Sequence, residues 1–392
     1  MRAERPKAPS VHVPDHSLSN EILECACMMS GRAVGVEKLY AEQTLDAASQ
    51  RFNRSLGLQE LLLEAAWANG YTGRTFRDRR TVLRFAFGQG DIQAQGYSTI
   101  DMGGILSNVA NKCLLEGFYS VEHIWRNICA IRNVSDFKTI TSYRLVGKDQ
   151  YEIVAPGGEI KHGTLGEEKF SNKADTYGLL LSIDRRDIIN DDLGAITAVP
   201  RKLGRGSGLK INDVFWGIFL NNGTFFTTGN GNYLAGADSA LTIAGLTRIE
   251  KIFMDMKDPD GKPIGIGPAI LLLPTGLSAI GTQLFKSVEL RSTVGDKEYT
   301  TGNPHQGKFR AEVSRYLNNS TYKGNASEKA WYLLADPRDL PVIEVAFLYG
   351  QESPTIETAE ADFHVLGVQM RGFHDFGVAL QDFRGGVKAK GE

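Results

Sequence analysis

The chain has 392 residues, with 44 Lys and Arg against 46 Asp and Glu, a formal charge of −2. That balance excludes a protein that holds nucleic acid by a strong overall positive field. Hydrophobic residues make up 42% and charged residues 23%, which excludes a disordered chain, and the length predicts about two to three domains.

The start, Met1–Ser10, is polar with no apolar stretch behind it, so no secretory signal is expected. Helical spacing then covers Leu18–Ala26, Leu39–Phe52 and, most clearly, Leu58–Ala68, with Leu61, Leu62, Ala65 and Ala66 on one face and Gly70 as the stop. Arg74–Arg84 holds five Arg and one Asp. Gln89–Gly96 lacks periodicity and is expected to be a linker. A helix follows from about Ile105 to Phe118, and Val121–Ile131 is expected to be a second helical piece. Tyr143–Val146 and Tyr151–Val154 alternate like two strands of a hairpin turning at Gly147-Lys148-Asp149, within a long exposed excursion over 135–180.

Helical steps resume over 184–221, with Asp184, Asp187, Asp191 and Asp192 at the start, Pro200 and Gly204, Gly206 and Gly208 inside, and Asn221-Asn222-Gly223 at the end. Residues 239–256 form another amphipathic helix. Asp258–Gly261 is a turn, Ala269–Leu273 a buried strand, and Thr275 the cap of a helix over Gly276–Lys286. Trp331–Leu334, Val342–Leu348, Phe363–Phe373 and Ala379–Phe383 are expected to be strands. The class is α+β. The longest apolar runs, such as Pro268–Pro274, are far below the roughly 18 residues of a membrane span.

Catalytic signatures are scarce. There is no phosphate loop, no dinucleotide fingerprint and no G-x-S-x-G elbow; Gly276-Leu-Ser278 begins like an elbow, but Ile280 stands where the second Gly is needed. Gly204-Arg-Gly-Ser-Gly208 lies inside a helical pattern and suits tight helix packing better than phosphate binding. His12, His16, Cys25 and Cys27 could be combined into a zinc site, but Pro14 breaks the helix and Cys-x-Cys is not the usual spacing, so core-facing thiols are expected instead. With Cys113 and Cys129 they make four Cys, too few for a disulfide framework, and a reducing setting follows. His364 and His374 read as sheet-surface histidines, Arg74–Arg84 as a solvated face or linker, and Asp258–Gly261 as turn chemistry rather than a calcium loop. No catalytic, cofactor or metal residue is assigned, and a structural protein is expected rather than an enzyme.

Four blocks carry a resemblance. They are Ser98–Met102 with Ile105–Leu115; Asn133–Lys138; Tyr177-Gly178 with Ser182–Arg186, Ile188–Ala195, Val199–Arg201 and Asn212–Trp216; and His374–Gly377 with Asp382–Gly385. In order and spacing they resemble the major capsid protein of tailed bacteriophages, of the Mu-like group that includes fusions of a ClpP-like prohead protease with the capsid protein. The resemblance covers about residues 96–392. It implies the Hong Kong 97-type capsid fold: 96–134 as the N-arm, 135–180 as the extended loop, 181–236 as the peripheral domain with its spine helix, 237–329 as the axial domain, and 330–392 as the peripheral domain strands. It implies self-assembly into pentamers and hexamers of an icosahedral shell. It also implies prohead protease, portal and scaffold proteins as partners, and double-stranded DNA held non-specifically on the inner face. It further implies a place in the virion, after assembly in the bacterial host cytoplasm, with no membrane partner.

Residues 1–95 depart from the family and contain no ClpP-like protease. They are expected to be a helical scaffold-like or linker segment with polar-faced helices, cleaved or poorly ordered in the finished shell. Two alternatives stand beside the capsid reading: a nanocompartment shell protein of the same fold, and a remnant prohead protease-type hydrolase acting through a Ser/His pair in 1–95. A nucleic-acid-binding module built on Arg74–Arg84 is a third. Lys148, Lys161 and Lys169 lie in the expected loop and read as solvated lysines.

Overall fold

The computed structural model describes residues 19–33, 35–52, 56–86, 102–147, 165–184, 193–258, 261–294, 297–322, 326–360 and 367–392. The chain divides into two compact units, one drawn from residues up to Val121, Gly178–Gly208 and Ser353–His374, the other from Glu122–Tyr177, Leu209–Glu352 and Asp375–Glu392.

In the first unit, α1 (Asn20–Ser30) starts where the Ser19 hydroxyl accepts from the Ile22 amide at 3.3 Å. α2 (Val36–Leu39), α3 (Glu42–Phe52), α4 (Leu58–Ala68) and α5 (Arg79–Ala86) follow, and then α6 (Met102–Tyr119). The apolar stripe of α4 buries Leu58, Leu61, Leu62, Ala65 and Ala66, and each leucine so buried contributes roughly 1.5–3 kcal/mol. These residues share one core with Leu23, Cys25, Cys27 and Met28 of α1, Ile105, Val109 and Cys113 of α6, and Leu203, Ile356 and Met370 from later in the chain. The expectation of polar-faced helices in the N-terminal segment is therefore corrected. The helices are amphipathic, and their apolar sides are used within the fold.

After the short α7 (Trp125–Ile128), the next helix in the chain is the long α8 (Leu193–Leu220). A Cβ placed on Gly204 would lie 1.9 Å from the Leu114 carbonyl oxygen, and one on Gly117 would lie 2.1 Å from that of Arg201. The backbones of α6 and α8 thus meet where only glycine leaves room. Arg201 and Glu116 form a 2.9 Å ion pair beside this contact. Pro200 lies inside α8. Asp184 ends a strand instead of opening the helix, and Asp187, Asp191 and Asp192 lie outside the described residues.

In the second unit, β1 (Ala130–Val134) runs parallel to β11 (Ile343–Leu348), which pairs antiparallel with the end of β13 (Gly367–Leu380). The first half of β13 pairs with β12 (Thr355–Glu360) in the first unit. A second sheet runs, in order, through β5 (Tyr233–Leu234), β14 (Gly386–Ala389), β10 (Trp331–Ala335), β6 (Pro268–Pro274) and β9 (Arg310–Ser314). The unbroken run Ile270–Leu273 is buried in this sheet, and Leu271 and Leu273 share a core with Trp331, Leu333 and with Leu246, Ile249 and Phe253 of α9 (Ile243–Met254). α10 (Ser278–Lys286) follows β6. Two hairpins form separate two-stranded sheets: β2 (Ile140–Gly147) with β3 (Leu165–Asn172), and β7 (Glu289–Val294) with β8 (Lys297–Gly302). The strand β4 (Asp175–Asp184) completes the set.

Four local expectations are corrected. Helix occupies only Trp125–Ile128 of 121–131, because Ala130–Val134 pairs along β11 and a sheet partner overrides weak helical spacing. The hairpin partner of Tyr143–Val146 is β3, with Tyr143 opposite Lys169 and Val146 opposite Gly166; Tyr151–Val154 lies outside the described residues. Alternation marks a strand but does not choose its partner. Residues 363–366 lie outside the described residues, and the rest of Phe363–Phe373 is not separate from the start of Ala379–Phe383. β13 is continuous over Gly367–Leu380, and its Gly377 sits where a Cβ would lie 1.9 Å from the Lys173 carbonyl oxygen. Finally, Thr275 opens a 3-10 turn rather than capping the helix, and its hydroxyl accepts from Asn318 Nδ2 at 3.2 Å.

Candidate assembly surfaces

The β2–β3 hairpin is fixed at its base. Asn172, at the end of β3, donates from Nδ2 to Glu344 Oε1 of β11 at 3.1 Å, while its Oδ1 accepts from the Lys173 amide at 2.9 Å. Both Asn172 and Glu344 are buried, and Arg132 Nη1 of β1 lies 3.7 Å from the other Glu344 oxygen. Arg132 also donates to the Ser142 hydroxyl of β2. A buried carboxylate is costly unless it is paired and hydrogen-bonded, so this cluster ties the hairpin to the sheet through one well-defined geometry. Among the described residues, β2 and β3 pair only with each other, over eight register positions from Ile140 opposite Asn172 to Gly147 opposite Leu165.

A second buried charge joins the N-terminal helices to α6. Glu24 accepts from Tyr40 OH at 2.9 Å and from Asn108 Nδ2 at 3.2 Å, and it pairs with Lys112. The Lys112 ammonium lies 4.2 Å from the centre of the Tyr40 ring. Burial and the Glu24 carboxylate push the Tyr40 phenol up.

Large apolar side chains are exposed in both units. They include Leu179 and Leu180 of β4 in the first, and Ile131, Phe137, Val288 and Tyr349 in the second. Consecutive strand residues point to opposite faces, so Leu179 and Leu180 expose apolar surface on both sides of one strand.

The structure places some of the residues considered for chemistry and leaves others outside the described residues. Cys25 and Cys27 are fully buried, and burial raises their thiols to about 11 and about 12, which keeps them protonated. Cys113 and Cys129 are buried free thiols too. His374 is corrected from the sheet surface to the interior: it is buried in β13, where its Nδ1 lies 2.9 Å from the Ser207 hydroxyl and its ring packs edge-on to Phe118. Ser278 opens α10, and its carbonyl accepts from Thr282. Arg74, Arg77 and Arg84 are exposed. Asp258 closes its turn by accepting from the Lys262 amide at 2.8 Å, with Gly261 at φ 81°. Lys169 is exposed. His12, His16, His364, Lys148 and Lys161 lie outside the described residues. Sequence reasoning missed Asn172, Glu344, Glu24 and Lys112, because their partners are 172 and 88 positions away along the chain. No group of His, Cys, Asp and Glu suited to a metal occurs among the described residues, and none of their helices is long and apolar enough to cross a membrane.

A family model described as phage capsid protein matches residues 167–389, more than half of the chain. The chain belongs to the phage capsid protein family. It is a major capsid shell subunit, and the α+β architecture above is a Hong Kong 97-type capsid fold. No curated protein sequence matches it. Solved structures with a similar course include the capsid of cyanophage P-SCSP1u, at 12% identity and TM-score 0.47, covering 68% of this chain and 87% of that one. A chain from Mycobacterium phage Adephagia is similar at 12% identity and TM-score 0.42, covering 77% and 94%. The virus-like particle from Pyrococcus furiosus is similar at 8% identity and TM-score 0.44, covering 72% and 98%.

Proposed function

We propose that this capsid subunit is of the Mu-like group and assembles in the host cytoplasm into a closed icosahedral shell around double-stranded phage DNA. The observation that carries the reading is the family match over 167–389, which takes in most of β3, α8, the second sheet and the β7–β8 hairpin. The subunit acts by repeated contacts between identical copies, not by catalysis. Heterologous contacts of one kind close into rings, and a formal charge of −2 leaves little repulsion between packed copies. Prohead protease, portal and scaffold proteins are its assembly partners, and DNA is held without sequence preference on the inner face.

In this reading 96–134 is the N-arm, 135–180 the extended loop, 181–236 the peripheral domain with α8 as its spine, 237–329 the axial domain, and 330–392 the returning peripheral strands. The β2–β3 hairpin supports the loop assignment, since among the described residues its strands pair only with each other beyond the pinned base. Residues 20–86 act as a folded part of the subunit, supported by the core they share with α6 and by the Glu24–Lys112 pair.

Electron microscopy of the purified full-length protein tests the proposal. Closed particles or capsomer rings are expected, with nuclease-protected DNA in particles from infected cells. A strictly monomeric species by light scattering at high concentration, across salt and pH, overturns it.

A further inference from the structure

The turn after β11 contains an expensive residue. Tyr349 has φ 53° and Gly350 has φ 70°, and the Gln351 amide donates to the Leu348 carbonyl at 3.0 Å. Two successive positive φ values inside a four-residue turn are the type I′ geometry, in which Asn, Asp or Gly normally stands first. A bulky aromatic in the left-handed region is a genuine outlier. Its side chain gains little from its own chain in return, being 75% exposed.

The neighbourhood shares this character. The Tyr349 amide donates to the Val134 carbonyl at 2.7 Å, so the turn is held against the end of β1. Phe137, three residues beyond Val134, is 44% exposed. A Cβ on Gly350 would lie 3.2 Å from Asn133 Nδ2, and Asn133 shares its strand face with Ile131, which is 41% exposed. Ile131 and Phe137 thus stand three residues to either side of Val134, which holds the Tyr349 turn. The charges around them are paired within the chain: Lys138 lies 3.7 Å from Asp136, and Arg126 is bonded to Glu352. This end of β1 presents no net positive field for a polyanion. It suits a nearly neutral partner, and this chain, at −2, is one.

We infer that Tyr349, with Phe137 and Ile131, forms a contact with a second copy of this chain in the shell, and that the strained turn is retained for that contact. The inference rests on the capsid reading above. Strained backbone persists where function uses it, and an aromatic anchor is a common centre of binding energy.

The test is Tyr349→Asn in the full-length protein, with Phe137→Ser beside it. Asn is at ease at positive φ, so the urea midpoint of the unassembled subunit should rise. Assembly should fall, with at least about a tenfold higher protein concentration needed to form particles by light scattering, the scale of one lost aromatic anchor. Phe137→Ser should show the same loss of assembly with an unchanged urea midpoint. Particles forming from both variants at the wild-type concentration overturn the inference, and so does a lowered urea midpoint for Tyr349→Asn, which would make the side chain a support of its own fold. Failure of the wild-type protein to assemble overturns the capsid reading instead, so the two failures are distinguishable.

Discussion

Replacing Lys388 with Met should stabilise the subunit, and the gain should depend on pH. Lys388 lies in β14, opposite Tyr332 of β10 on one side and Tyr233 of β5 on the other, and is buried. Its ammonium is 5.8 Å from the centre of each ring. Burial lowers its pKa from 10.5 to about 8. At about 1.4 kcal/mol per pKa unit, that corresponds to roughly 3 kcal/mol of cost for the charged form. Cation–π attraction returns about 0.5–2 kcal/mol. Methionine keeps the unbranched stem and removes the charge, so a gain of about 1–3 kcal/mol is expected near neutral pH. The sign with pH follows from proton counts. Below about 8 both states carry the proton and the full cost is present. Between about 8 and 10.5 the folded state gives it up while the unfolded chain holds it, so wild-type stability rises through that window. The buried thiols act oppositely above 9, since they keep their protons when folded, but they are common to both proteins and cancel in the difference. Urea unfolding of both proteins at several pH values measures this directly. A gain that does not shrink from neutral pH to about 10, where the window set by the lowered pKa is nearly crossed, would refute the burial argument, as would a loss of stability at neutral pH.

Gly204→Ala should destabilise by about 1–3 kcal/mol, because its Cβ meets the Leu114 carbonyl, whereas Gly206→Ala, with open space at its Cβ, should stabilise α8 by up to about 1 kcal/mol; urea midpoints separate the two. Asn172→Ala should leave the buried Glu344 carboxylate short of a donor, costing about 1–3 kcal/mol, and should speed amide exchange in 140–147 and 165–172. His305 is buried beside Glu250 at 3.5 Å, with its Nε2 2.9 Å from the Thr247 hydroxyl and Lys308 paired to Glu250. Desolvation lowers its pKa below 6.5, so the stability it confers is present above about 6.5 and is lost as pH falls through the lowered value. His305→Gln should flatten that part of the stability–pH curve, and an unchanged slope would assign the acid sensitivity elsewhere.

The features legible in the sequence were those written in local spacing. Leu58–Ala68 is a helix with the expected bounds because its stripe of Leu61, Leu62, Ala65 and Ala66 needs no distant information. Ile270–Leu273 is legible as a buried strand because such a run cannot face water. Pairing was not legible. β2 takes β3 across residues 148–164, and β1 near the first third of the chain takes β11 near its end, neither of which alternation encodes. The join between the two expected strands Phe363–Phe373 and Ala379–Phe383 was not legible either, since Gly377 between them serves close approach to Lys173 within one continuous β13. Glycine guided correctly at Gly204, where packing was the expected role. Lys388 gives no signal at all, since Gly386-Val-Lys-Ala389 looks like an ordinary polar tail until the sheet encloses it.

Burial also bears on the N-terminal helices. A segment meant to leave a subunit should cost little to remove, so its apolar residues should be few or turned to another molecule. Residues 20–86 do the reverse. Leu23, Cys27 and Met28 of α1 and Leu61 and Ala65 of α4 share one core with Ile105, Val109 and Cys113 of α6, and Glu24 finds its counter-charge in Lys112. Stripping them away would expose the apolar side of α6 and leave Lys112 without that partner. Burying a Val, Leu or Ile is worth roughly 1.5–3 kcal/mol each, so a few such residues match the whole net stability of a domain. Removal would therefore require a new surface to cover α6, and the natural source in a shell is a neighbouring copy. Intact mass of the subunit in mature particles separates the cases. A full-length chain fits a permanent folded part, whereas a chain beginning near residue 96 requires that α6 acquire a new partner during maturation.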